Sequence, residues 1–321
     1  MSKATAAQHD HDHDRRHRIE AQRAAARRKQ VQHRLLIGAG AIMAVTIAVV
    51  ALVLVHVNSS PGPKVPPNDG PTGTALATTV KDLTTVPASV LDAVGGGNLS
   101  TADIGSATAV GGGYLTPVTG SPLTAGGKPE VLYVGANFCP YCGAVRWPLI
   151  VALSRFGTFS GLTTTRSSVQ NGAGQAEVYP ATATWTFYGA SYKSPYLTFT
   201  AVELNTNVPD TSTGYYTTLQ ALTKAQQSTM SAYDPSGGFP FIDIGNAYVQ
   251  LSVLAPYGPQ DLAGQTWSQI TGALTGGKAS SLGTEIDASA NYLTAAICKV
   301  TGDKPATACT PAITALQPRL G

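Results

Sequence analysis

Between residues 129 and 157 the spacing of apolar positions changes abruptly. Val131-Leu132-Tyr133-Val134 is a continuous β-branched and aromatic run, too short for a helix and preceded by Gly126-Gly127, which predicts a buried strand. From Gly143 to Phe156 the apolar residues recur at helical spacing, with Gly157 as a stop signal. Pro148 inside that pattern predicts a kink. Leu162–Ser168 reads as a Thr-rich strand, and Thr182–Tyr188 and Tyr196–Leu204 alternate strongly enough to predict a β-hairpin, or two sheet strands, joined by Gly189–Pro195. Tyr215–Ala232 predicts a helix broken by Asp234-Pro235-Ser236-Gly237-Gly238. Phe239–Asn246 predicts a strand ending in a Gly245-Asn246 turn, with Tyr248–Leu254 as its partner. Leu262–Leu274 and Ser289–Val300 predict helices, and Val86–Val94 a short helix stopped by Gly95-Gly96-Gly97.

One apolar stretch has another meaning. Leu35–Val57 is a run of 23 residues without Asp, Glu, Lys or Arg. At about 1.5 Å per residue it reaches across a hydrocarbon core of about 30 Å. It predicts an uncleaved membrane anchor in preference to a signal peptide, because Val55-His56-Val57 is a poor cleavage site. Basic residues crowd its N-terminal side, which predicts a cytoplasmic N-terminus and an extracytoplasmic C-terminal domain at the cell membrane. Residues 1–34 read as a basic disordered tail, 58–75 as an extended Pro-rich linker and 76–321 as the extracytoplasmic domain, with its core at about 129–275 and a C-terminal helix and Cys pair at 281–321.

Charge narrows the function. Met1–Arg34 holds nine Lys or Arg against four Asp or Glu, whereas from Asn58 onward twelve basic residues face fourteen acidic ones. The large part lacks the basic footprint that nucleic acid requires. All six histidines lie in the first 56 residues, so triads and metal sites built on His are excluded beyond them. The His9-Asp10-His11-Asp12-His13-Asp14 alternation offers weak divalent-cation binding, but a solvated tail is the simpler reading.

The candidate chemistry is Cys139-Pro140-Tyr141-Cys142, at the junction of strand and helix. Pro140 suits a first helical turn, where a missing N–H costs nothing. Cys139 then meets unpaired N–H groups and the positive end of the helix dipole, which favour a thiolate, and Cys142 lies one turn away as a sheltered resolver. Gly143 stands where haem attachment would need His, and only Cys298 and Cys309 remain to complete a zinc site. A redox dithiol is the leading reading; a structural disulfide and a metal site are the alternatives. Cys298 and Cys309 are expected to form a structural disulfide, with a second redox pair as the alternative. Trp185, Phe187, Phe199 and Glu203 are candidates to approach the dithiol, although sheet packing for the aromatics and a solvated face for Glu203 are the simpler expectation. A cis peptide before Pro240 would bare the Phe239 backbone to an extended substrate, although trans is the default from sequence.

With CPYC after a strand and Phe-Pro opening a later one, the chain resembles the thioredoxin superfamily over Pro129–Leu274. The series GKPEVLYVGANFCPYCGAVRWPLI, the Thr/aromatic hairpin, GGFPFIDIGN and the late Cys pair resemble more closely the family called domain of unknown function 929, which has membrane-anchored members. The resemblance implies a thioredoxin-like α/β sheet flanked by helices, Cys139 as nucleophile, Cys142 as resolver and Pro240 as a cis proline facing them. Thioredoxins proper often carry a buried acid six residues before the first Cys, where this chain has Tyr133. The separation of Cys142 from Pro240 exceeds that of a minimal thioredoxin and implies an insertion holding the hairpin and a helix.

The expected function is a membrane-anchored, extracytoplasmic thiol–disulfide oxidoreductase acting on secreted or envelope proteins. Cys139 and Cys142 would be catalytic, and Pro140, Tyr141, Phe239 and Pro240 would receive substrate. Its partners would be disulfide- or thiol-bearing proteins, a redox partner and, through residues 35–57, the bilayer. No cofactor or metal is called for. The rival is a non-catalytic thioredoxin-like binding module whose cysteines are structural.

Overall fold

The computed structural model describes residues 64–99, 114–251 and 257–320, all within the unit Pro63–Gly321. Helices α1 (Gly73–Thr84) and α2 (Ala88–Val94) precede strands β1 (Thr116–Pro117), β2 (Thr124–Ala125) and β3 (Lys128–Gly135). Helix α3 (Pro140–Ser154) follows, then β4 (Thr158–Ser160), β5 (Thr163–Arg166), β6 (Ala183–Thr186), β7 (Ser191–Lys193), β8 (Thr198–Glu203), β9 (Asn205–Asp210) and β10 (Tyr215–Thr218). Helix α4 (Lys224–Tyr233), strands β11 (Phe241–Ile244) and β12 (Tyr248–Gln250), and helices α5 (Trp267–Gly276), α6 (Ser281–Thr301) and α7 (Pro311–Thr314) complete the described α-helices and strands.

The principal sheet runs β1-β12-β11-β3-β2, and β8 pairs with the remainder of the β3 edge. Only the β3–β8 ladder in it is parallel, from Glu130 opposite Thr198 to Gly135 opposite Glu203. Parallel neighbours need a crossover, and α3 begins the one that links them. Alternation along β3 divides the core. Val131 and Tyr133 join Ile242 and Ile244 in the larger cluster with α3 and α6, while Leu132 and Val134 join Phe241, Val249 and Met230 on the other face.

Several expectations are corrected. Thr182–Tyr188 and Tyr196–Leu204 do not form a hairpin: β6 pairs with β5, β8 with β3, and the connecting loop forms β7, which pairs with β4. The open edge of β3 takes β8, and β6 finds its partner in β5. Tyr215–Thr218 is strand, paired with β9, because two aromatic and two β-branched residues follow the tight turn at Gly214. The helix begins only at Lys224, behind a Thr223–Gln226 capping box. Helix α3 continues through Pro148, and the Ala144 carbonyl that Pro148 leaves without its helical donor accepts a hydrogen bond from the Tyr257 hydroxyl at 2.6 Å. The end of the Pro-rich spacer is held against the domain. Asp69 forms a two-pronged ion pair with Arg166 at 2.5 and 2.9 Å, and the Arg166 guanidinium lies 4.7 Å from the Trp267 ring centroid.

The membrane arrangement is also corrected. Among the described residues no helix is long and apolar enough to cross a membrane. The longest, α6, has 21 residues but carries Glu285, Asp287 and Lys299. The run at 35–57 lies outside the described residues, as does the His/Asp tail, so the single transmembrane helix and the single-pass cell-membrane localisation are without support. The fold is a mixed α/β sheet with flanking helices.

Asp287 is an anomaly in that core: it is fully buried and neither carboxylate oxygen has a hydrogen-bond partner. Burial pushes its pKa from 3.8 up to about 8. The folded state therefore keeps a proton that the unfolded chain releases, and the associated stability, complete below pH 3.8, is lost as pH rises through about 8. Thermal melts of Asp287→Asn should rise above the parent's progressively across that window; parallel pH profiles would refute the assignment.

Candidate functional site

The site starts where β3 runs out of partners. Beyond Gly135 the chain is pinned by Asn137 N–H to the Asn205 carbonyl and by Ser168 N–H to the Phe138 carbonyl, each at 2.9 Å. Cys139 is the N-cap of α3, with extended backbone, and Pro140 occupies the first turn. The Cys139 sulfur takes the capping role of an oxygen, accepting the Cys142 N–H at 3.1 Å. Cys142 lies one turn behind, fully buried, whereas 6% of Cys139 is exposed.

The environment separates the two sulfurs chemically. Burial pushes the Cys139 pKa up, but hydrogen bonds from the Cys142 thiol and N–H, the Arg146 charge and the Tyr141 N–H outweigh it, leaving the thiol below its ordinary value of 9.0. Cys142 moves far the other way, through burial first and then its hydrogen bond to, and repulsion by, Cys139. The outer sulfur is favoured as thiolate and the inner one as thiol.

Beneath them lies a buried ion pair. Arg146, four residues after Cys142, is the only charged residue of α3 and is fully buried, as is Glu203 at the end of β8. Arg146 Nε donates to Glu203 Oε1 at 3.1 Å, and Nη2 donates to Glu203 Oε2 at 2.7 Å and to the Ala136 carbonyl at 2.9 Å. Glu203 also accepts the Phe187 N–H at 3.3 Å. Although burial opposes its charge, Glu203 and the neighbouring acidic groups raise the Arg146 pKa. The guanidinium sits 5.8 Å from the centroid of the Tyr133 ring.

Around the two cysteines is an aromatic collar. Phe138 stacks on Tyr216 at 3.9 Å between centroids and meets Tyr215 and Phe239 edge-on at 5.3 and 5.7 Å. Tyr141 is 42% exposed and packs edge-on against Tyr179 at 5.9 Å. Tyr216 bonds to Glu177 through its hydroxyl. Phe239 packs against the cluster formed by Ala136, Phe138, both cysteines and Tyr216. The Phe239–Pro240 peptide is cis, and Pro240 directly precedes the pair Phe241–Val134, which brings it level with Gly135 at the base of the cysteine loop.

The structure therefore gathers Cys139, Pro140, Tyr141, Cys142, Phe239 and Pro240 into one place. Cys298 and Cys309 lie apart from them, joined to each other as a disulfide that ties α6 to the segment before α7. That bond removes the two sulfurs a zinc site at CPYC would have needed. Trp185, Phe187 and Phe199 pack in or against the main core. The solvated face expected for Glu203 is wrong, since the carboxylate is sealed against Arg146. A lone arginine in an otherwise apolar helix, one turn beyond Cys142, was the available signal for both. Tyr179, Tyr215 and Tyr216 carried none, because the insertion brings them in from a distance in sequence.

Residues 114–218 match the family model described as Domain of unknown function (DUF929), which supports that family for the stretch. The match takes in CPYC, Arg146 and Glu203 but stops before Phe239-Pro240 and the late Cys pair. No curated protein and no solved structure matches the chain.

Two measurements test this geometry. In the reduced protein, iodoacetamide should modify Cys139 with a midpoint below pH 9.0, the ordinary value, while Cys142 reacts only after denaturation. Equal reactivity would contradict the division of the sulfurs. Glu203→Ala, which strands a buried guanidinium, should cost about 3–5 kcal/mol in denaturant unfolding.

Proposed function

We propose that the chain is a thiol–disulfide oxidoreductase working through Cys139 and Cys142. The observation that carries this reading is the pairing of a helix-capping sulfur, stabilised as thiolate by the Cys142 N–H at 3.1 Å, with a second sulfur buried one turn behind it. The resemblance to the thioredoxin superfamily supports it. Cys139 as thiolate attacks a partner's disulfide, forming a mixed disulfide and releasing one partner thiolate, which takes a proton from water. Cys142 then loses its proton and attacks the Cys139 sulfur. The Cys139–Cys142 bond forms, the second partner sulfur leaves and is protonated, and two electrons have passed to the partner. Run backwards, the same steps oxidise a partner dithiol.

The substrates are disulfide- or thiol-bearing proteins, received by Pro140, Tyr141, Phe239 and Pro240 within the aromatic collar. Exposed aromatic faces at the rim suit apolar residues flanking the partner cysteine.

A single observation favours the rival, a binding module with structural cysteines: only 6% of Cys139 is exposed. Titration against defined glutathione potentials separates the two, because structural disulfides resist reduction to below about −300 mV. The decisive variant is Cys142→Ser. It should accumulate mixed disulfides through Cys139, visible as adducts that reductant removes and that Cys139→Ser abolishes. Recovery of none would refute exchange.

A further inference from the structure

Two polar atoms beneath the dithiol have no hydrogen-bond partner although both are fully buried: the Tyr133 hydroxyl and Arg146 Nη1. Leaving such a group unsatisfied costs about 1–3 kcal/mol, more where it is charged. A pair of them, on side chains whose guanidinium and ring centroid lie 5.8 Å apart, calls for a reason.

Their placement supplies one. The Tyr133 side chain folds forward along its own strand, so that a Cβ added at Gly135 would lie 2.1 Å from its hydroxyl oxygen. The next residue, Ala136, accepts Arg146 Nη2 at 2.9 Å through its carbonyl and packs in the cluster that holds Cys142. Tyr133, Arg146 and Cys142 thus converge on one peptide, Gly135-Ala136. The charged and titratable groups about Cys142 include Cys139 at the N-cap of α3, Tyr141 and Arg146 on α3, Tyr133 on β3, Glu203 on β8 and, from the collar, Tyr215 and Tyr216 on β10, the latter bonded to Glu177. Of these, Tyr133 and Arg146 are the ones with spare donors, and both stay protonated: burial raises the tyrosine's pKa far above its ordinary range, and Glu203 helps hold the arginine charged.

We propose that Tyr133 and Arg146 are positioning residues for the resolving step, unpartnered in the resting dithiol because they await the negative charge that Cys142 carries when it attacks the mixed disulfide. In the reduced resting state Cys142 is a neutral thiol and makes little use of them. Once Cys139 is bonded to a partner, its own thiolate no longer repels charge on Cys142, and that charge must develop in a site without water. Arg146 is already fixed on the Ala136 carbonyl, and Ala136 packs in the cluster that holds Cys142, so little reorganisation is needed at that moment. The proton lost by Cys142 passes to solvent before the attack, the departing partner thiolate takes one up from water only where its own pKa requires it, and the sulfur–sulfur exchange balances as written above. Glu203 sets the strength of the effect by neutralising part of the Arg146 charge.

This inference rests on the exchange reading, and the test separates their failures. A coloured aromatic disulfide reagent mixed with reduced protein should release its thiolate in two phases, the first from attack by Cys139 and the second from resolution by Cys142. Tyr133→Phe should lower the ratio of second to first rate constant by about tenfold, equivalent to one pKa unit on the resolving sulfur. Its melting temperature should be unchanged or raised, since the hydroxyl it deletes has no partner in the resting state. Glu203→Gln should shift the pH profile of the second phase to lower pH, because Arg146 then bears an uncompensated charge; a purely structural role predicts no such opposition of sign. Should Glu203→Gln fold poorly, the Tyr133→Phe ratio and melt decide the matter alone. Second phases that coincide in Tyr133→Phe and the parent overturn this proposal and leave exchange standing. Absence of the first phase in the parent overturns exchange and this inference together.

Discussion

A guanidinium is taken out of water only with compensation, and here the compensation comes from the sheet. Arg146 on α3 and Glu203 on β8 meet through two hydrogen bonds, with a third from Arg146 to the Ala136 carbonyl. A buried pair of this kind adds little net stability over an apolar substitute, but losing either partner is costly. Its effect is therefore to forbid alternatives. Helix α3 cannot rotate or slide against β8 without stranding a charge, and the cysteines at the mouth of that helix hold their place over Gly135-Ala136.

From that constraint the asymmetry of the two sulfurs follows. Cys139 caps the helix and gains a hydrogen bond that suits an anion. Cys142 is carried by the helical repeat into the interior, where burial keeps its proton on. The insertion between α3 and α4 adds the surroundings, since β10 supplies Tyr215 and Tyr216 and the segment before β6 supplies Tyr179. Aromatic rings surround Cys139, with Glu177 bonded to one of them through the Tyr216 hydroxyl.

The strand at Val131–Val134, the helix after Cys139 and the strand after Pro240 were legible because each combines a clear period with a Gly or Pro boundary. Helix α6 was legible at its C-terminal end and begins eight residues before the expected Ser289, since its first turns, from Ser281, are polar and half exposed. The pairing of β8 was hidden: alternation says that a segment is extended, not which edge will take it. Tyr215–Thr218 was misread because an apolar-to-polar pattern there fits either period, and only the β9 partner decides. The dithiol itself was visible as a motif, whereas its electrostatic floor depends on residues 57 positions apart meeting in space.

Gly135 ties the backbone to this arrangement. The volume that a methyl group would need at position 135 is already occupied by the phenol two residues upstream. Among relatives sharing this architecture, alanine or anything larger should be admitted at 135 only in lineages that have first given up tyrosine at 133, so that a change at 135 follows one at 133 and does not precede it.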